Sequence, residues 1–165
     1  IINSPKAILD SATQNILILN NQIQILDKPD KEIHIKSGNA TFNKTTKSIL
    51  ATDNIVITDN KNQDNSLETS KLNWNLNNSV INLDNELTIH LPNTNIYSRK
   101  GTYDINLDQI NLKDVLFKRN SNTMKGFPSY EISITSDNTK WLKENDSLEF
   151  TSDKGQVETT IDLFN

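Results

Sequence analysis

Apolar residues in this chain alternate with polar ones over short stretches, as in Gln22-Ile23-Gln24-Ile25, Glu32-Ile33-His34-Ile35 and Leu87-Thr88-Ile89-His90-Leu91. A period of two marks a strand with one buried face. Helix signals are poor. β-Branched residues and Asn crowd every window, and no amphipathic 3.6 period survives beyond two turns. Between the runs stand polar pairs: Asn20-Asn21, Asp53-Asn54, Asn77-Asn78 and Asp84-Asn85. Asn and Asp tolerate the left-handed backbone of tight turns, so these pairs read as hairpin turns in a chain with only four glycines.

The pattern repeats. Four aromatics, Phe42, Trp74, Tyr103 and Trp141, serve as anchors. Seven residues before them stand Ile35, Leu67, Ile96 and Ile134; five before, Ser37, Thr69, Ser98 and Ser136. Two before stand Ala40, Leu72, Gly101 and Thr139, mostly small. A fifth copy at the N-terminus carries Leu9 in the aromatic place, with Ile2, Ser4 and Ala7 at the same offsets. Three anchors are followed by Asn or Asp, which places each as the last strand residue before a turn; Trp141-Leu142 lacks this. The second half of each unit repeats as well: Ile16–Ile25 aligns with Val80–Ile89, and Ile49–Ile57 and Ile110–Phe117 fall in the same frame. One unit of about thirty residues then makes two or three short strands of about five residues, and five units make on the order of ten to fifteen strands. A single unit cannot bury its apolar face, so the ladder must fold over itself. The expected fold is all-β: a repetitive antiparallel β-jelly roll or open β-sandwich, as one domain over residues 1–165. Residues 120–130 are expected as a loop and 131–165 as a divergent final repeat.

Composition changes this picture little. The apolar fraction is 34%, low for a globular chain, but 17 basic against 21 acidic residues leave a net charge of only −4, so self-repulsion does not favour disorder. A pI near 5.1 without a basic stripe argues against a nucleic-acid partner. No run of 18 apolar residues spans a membrane. Cysteine is absent, so disulfides and thiolate metal sites are excluded. The start at Ile1, without Met or signal-type segment, suggests an excised or processed piece whose targeting segment lies outside it.

A small residue, an aromatic, Asn or Asp, a turn, an aliphatic pair and a β run, recurring every thirty residues, resembles the OstA-like repeat. Thr69-Ser70-Lys71-Leu72-Asn73-Trp74-Asn75 and Ser98-Arg99-Lys100-Gly101-Thr102-Tyr103-Asp104-Ile105 carry the resemblance most closely. It covers most of residues 1–119 and, more loosely, 131–160. The repeat belongs to the periplasmic lipopolysaccharide-transport proteins LptA and LptC and to the N-domain of LptD. Asn3-Ser4-Pro5-Lys6-Ala7 is similar to the lead-in of the LptC branch. The chain departs from the family in sparse glycine, in Leu9 for an aromatic and in residues 120–165.

The resemblance implies a lipopolysaccharide carrier that shields acyl chains in an apolar β groove and needs no covalent chemistry, metal or cofactor. It implies other jelly-roll transport proteins of the LptA kind and an inner-membrane ABC transporter complex as partners, with head-to-tail self-association open. It further implies a periplasmic location, tethered by an N-terminal helix that this chain lacks; the LptA alternative would instead have lost a signal peptide. The natural groove lining is apolar: Ile35, Ile55, Ile57, Leu67, Leu87, Ile89, Ile96, Val115, Phe117 and Ile134. The same positions would serve a closed core. The alternation around Val157 and Ile161 marks the C-terminal edge as the one that meets a partner.

Other chemistries carry less. His34 and His90 are single histidines on the polar side of alternating runs, without ligand spacing. No nucleophile elbow, phosphate loop or dinucleotide fingerprint occurs. Dispersed Asp and Glu leave carboxylate pairs for glycoside hydrolysis open, and a non-carbohydrate hydrolase is a distant third reading. The alternative class is a repetitive β adhesion or carbohydrate-binding module of a cell-envelope protein, with Trp74, Tyr103 and Trp141 as a stacking platform. Arg99 and Lys100 could meet a lipid phosphate or be solvated turn residues.

Overall fold

Strand-forming residues alternate in and out along nearly the whole chain, and strands are what form. The computed structural model describes residues 1–28, 31–60, 64–121 and 129–164. Among these residues, thirteen strands build one antiparallel sheet: β1 (Ile2–Asn3), β2 (Lys6–Asp10), β3 (Asn15–Lys28), β4 (Lys31–Asn43), β5 (Ser48–Asp59), β6 (Ser66–Asn75), β7 (Val80–Leu83), β8 (Leu87–Leu91), β9 (Thr94–Asp104), β10 (Gln109–Ser121), β11 (Ser129–Leu142), β12 (Ser147–Thr151) and β13 (Glu158–Phe164). No helix occurs among the described residues. The architecture is the all-β, repetitive antiparallel one that the pattern predicts. Most of the 120–130 segment, residues 122–128, lies outside the described residues.

The order along the sheet is that of the chain. β1 and β2 lie end to end along β3, β7 and β8 together bridge β6 and β9, and β12 and β13 together line the outer side of β11. The ladder therefore has ten full-length places, three of them filled by a strand broken in two.

Strand length differs from the sequence expectation. β3, β4, β5, β9, β10 and β11 run 11 to 14 residues rather than about five. The reason is that two of the polar pairs are kinks, not turns. Asn20 (φ 49°), Asp53 (67°), Asn54 (52°) and Asp114 (54°) take left-handed conformations inside continuous strands. Pairing slips at Lys36/Asn39 and Thr52/Ile55 as the extra residues are absorbed, in the manner of β-bulges. Asp84 and Asn85 fall on the same line and break β7 from β8. The hydroxyls five residues before each anchor lie along this line. Ser4, Ser37 and Ser98 each reach the carbonyl two residues on, at 2.8, 3.1 and 2.9 Å to Lys6, Asn39 and Lys100. Thr69 Oγ1 donates to Glu86 O at 3.1 Å, and Ser136 pairs with Thr139. A bulge frees backbone groups from the ladder, and a nearby hydroxyl supplies their missing partner.

The real hairpin turns come where the aromatic-plus-Asn/Asp signal places them. Asn43 Oδ1 accepts from Thr46 N–H (2.8 Å), Asn75 from Asn77 (2.9 Å) and Asp104 from Asn106 and Leu107 (3.0 and 3.1 Å). Leu142 is followed by a turn too, where Asn145 Oδ1 accepts from Ser147. At several turns the last residue before the next strand is left-handed: Gln14, Lys47, Asp108 and Asp146. At the sandwich's interior, Gly101 needs its missing side chain. A Cβ there would stand 2.9 Å from Asn111 O and Leu112 Cδ2 and 3.3 Å from Leu87 Cδ2. Gly101→Ala is expected to cost about 1–3 kcal/mol by overpacking, read as a lowered urea midpoint at unchanged slope.

Candidate functional site

Cross-strand register turns the repeat into rows. Successive pairings link Leu9, Ile16, Phe42, Ile49, Trp74, Ile81, Tyr103, Ile110, Trp141 and Leu148 into one row across the whole ladder. All five anchors lie on it, one residue before a strand end. Tyr103 Oη donates to Asp108 Oδ1 (3.0 Å) and Trp141 Nε1 to Asp146 Oδ1 (3.1 Å), each five residues on in the following turn. Tyr103 and Trp141 are buried and Trp74 is half-buried, so these rings do not form an exposed stacking platform.

A second row, on the far side of the kink, runs Ile2, Ile23, Ile35, Ile57, Leu67, Ile89, Ile96, Phe117, Ile134 and Thr159. Seven of the ten expected lining residues stand in it. The other three, Ile55, Leu87 and Val115, share the adjoining row, where they alternate with Thr69, Ser98 and Ser136. Ile134 is partly buried, and the other nine are buried at 0–7% exposure. The structure thus brings all ten onto one inward face, and that face is closed.

The ladder folds so that opposite strand ends meet. Ile33, Ile57, Leu67 and Ile89, from ends remote from the anchor turns, share a cavity of about 30 Å³ with Tyr103, Ile110 and Trp141 from the anchor ends. That volume admits about one water. Phe117 meets Phe150 edge to face at 5.4 Å. At the cavity, Lys143 pairs with Asp59, 84 residues away, with side chains 15% and 8% exposed. Pattern reading missed this pair, since neither residue carries a repeat signal.

The outer face is polar. His34 lies 3.3 Å from Glu32; His90 hydrogen-bonds Asn95 at 2.8 Å and lies 3.8 Å from Glu68. Both are partly exposed, as the alternation predicts. Arg99 pairs with Asp114 at the kink. Lys100 stands with Lys113, Lys140, Asp84 and Glu149 around a depression of about 580 Å³. Among the described residues, no group of three His, Cys, Asp or Glu could hold a metal ion, and no helix is long and apolar enough to cross a membrane. Two carboxyls are held below the usual range. Asp10 is lowered by the Thr13 hydroxyl and the Ala12 and Thr13 N–H groups, and Asp137 by the Ser152 hydroxyl and the Asp153 N–H. Asp10 is exposed and Asp137 half-buried.

Both margins of the sheet are bare. Every residue of β2 and β13 is exposed, including Ile8, Leu9, Ile161, Leu163 and Phe164. Ile161 lies inside β13, where it pairs with Ile132 of β11, whereas Val157 precedes the strand.

Register and lining together define a class of protein: a bent antiparallel β ladder, polar outside and apolar within. Residues 1–116 match the model of the family described as lipopolysaccharide-assembly, LptC-related, and the chain belongs to that family. The match ends within β10, yet both rows continue through β11 in unbroken register. Among curated proteins, none matches the chain significantly. Among solved structures, it is similar to LptH, the LptA-homologous periplasmic component of the lipopolysaccharide transport device of Pseudomonas aeruginosa. Identity is 7%, coverage is 98% of this chain and 94% of that one, and the TM-score is 0.32.

Proposed function

We propose that this protein is a periplasmic carrier in lipopolysaccharide transport, which takes acyl chains between the two halves of its ladder and passes them to a partner jelly roll. The observation that carries the reading is the pair of adjacent inward rows, one apolar throughout from Ile35 to Ile134 and the other alternating aliphatic and hydroxyl side chains, in a chain of the LptC-related family. Each methylene moved from water into such an interior contributes about 0.8 kcal/mol, so a few suffice for reversible holding. No bond need be made or broken. Because nine of the ten lining residues are buried in the closed state, loading requires the halves to part.

Passage to a partner would use the C-terminal margin, where β13 offers one unpaired side to another strand. The same geometry at β1–β2 would let copies or relatives stack head to tail. An LptA-like protein on one side and an inner-membrane ABC transporter complex on the other are the partners this role calls for, with an N-terminal membrane helix upstream as tether. Burial of Tyr103 and Trp141 disfavours the alternative, a sugar-stacking adhesion module.

Photocrosslinking tests the reading directly. With a photoreactive residue at Leu87 or Ile96, adducts to lipopolysaccharide are expected, and none from outward Tyr97. Inward positions that all fail to give adducts would remove the proposal.

A further inference from the structure

The Lys143–Asp59 pair is the feature that neither the repeat nor the core explains. The ion pairs Glu32–His34, Glu68–His90, Arg99–Asp114 and Lys118–Glu131 join residues of one strand or of neighbouring strands. Lys143, in the turn between β11 and β12, instead reaches Asp59 at the end of β5, a strand not adjacent to β11 or β12 in the ladder. The pair therefore ties the two halves together at the mouth of the apolar interior. The ammonium also lies 5.5 Å from the centre of the Tyr103 ring and 5.8 Å from that of Trp141, within cation–π range.

A closed core gains nothing from charge at this point. Two apolar side chains would pack there without the loss of hydration that a near-buried ion pair carries. Such a pair is, however, readily exchanged. When the halves part, Lys143 stays seated on its two rings at the entrance, and another anion can take the carboxylate's place.

We propose that Lys143 is the cargo-facing cation of the interior: Asp59 holds it while the ladder is closed, and a phosphate next to the chains of an acylated ligand replaces Asp59 on loading. This rests on the transport reading above. It adds a specificity-determining residue that selects chains joined to an anion over neutral ones.

The test titrates the full chain with three probes: phosphorylated lipopolysaccharide, the same material dephosphorylated, and phosphatidylglycerol vesicles. Wild type is expected to prefer the phosphorylated form about tenfold, the scale of one charge-assisted hydrogen bond. Lys143→Met should bring that ratio close to one while leaving binding of the dephosphorylated form unchanged. Lys143→Arg should keep the preference. Asp59→Asn, which removes the competing carboxylate, should tighten binding of the phosphorylated form several-fold. A parallel loss on phosphatidylglycerol in Lys143→Met assigns the cation to any acylated anion; a loss confined to lipopolysaccharide assigns it to the glycolipid. An undiminished ratio in Lys143→Met overturns the inference. Should that variant not fold, the absence of any gain in Asp59→Asn overturns it equally. Wild type that binds none of the three removes the transport reading itself.

Discussion

Deleting residues 156–165 is expected to abolish capture of a partner jelly roll while the remaining ladder stays folded. β13 is seven residues long and pairs with β11 on one side only, so about half of its residues direct N–H and C=O groups outward. At about 0.5–1.5 kcal/mol net per hydrogen bond, a strand docked there would draw several kcal/mol from backbone pairing alone. Its loss should therefore weaken binding roughly a hundredfold or more. The control is built into the burial pattern: every residue of β13 is exposed, so the truncated chain gives up little packed area. Pull-down or surface-binding measurements with a purified partner, beside a thermal melt of the truncated protein, would read both effects. Unchanged partner binding after the deletion would sink the edge assignment and leave the apolar interior untouched.

The second large effect is on stability. Ile96 and Tyr97 are neighbours on β9 that face opposite ways, with exposures of 0% and 41%. Ile96 sits in mid-row between Ile89 and Phe117. Ile96→Ala should destabilise the fold by about 2–5 kcal/mol, combining lost transfer energy and a residual cavity. At this chain length each kcal/mol lowers the melting temperature by about 2–4 °C, so a fall near 10 °C is expected. Tyr97→Ala should stay within about 0.5 kcal/mol of wild type. Comparable losses in the two variants would mean that the period-two pattern does not report which face is buried.

That contrast shows what was legible in the residues alone. Alternation of side chains is a backbone property, so a run such as Leu87-Thr88-Ile89-His90-Leu91 states its buried face before any neighbour is known. Repetition then supplies the register: positions equivalent in each unit must meet across the ladder, and Ile35, Leu67, Ile96 and Ile134 do share one row. The anchors likewise share another, Leu9 included, although it lacks the ring. The Asn or Asp after most anchors was readable as a turn because its short side chain accepts from N–H groups two or three residues ahead, a local interaction.

Other features were set by the assembled sheet. Asn20-Asn21 and Asp53-Asn54 have the composition of hairpin turns, since a left-handed residue serves a turn or a bulge equally well; whether the chain reverses or merely bends there depends on the strands pairing on either side. Lys143 and Asp59 belong to no periodic pattern, and only the folding of one half of the ladder over the other brings them together across 84 residues. The sequence by itself determined that strands form, which faces turn inward and which positions of each unit correspond, because these follow from period and repetition. Tertiary structure alone decided where the ladder bends, that its interior is shut, and that Lys143 meets Asp59, because those depend on contacts between strands that are distant along the chain.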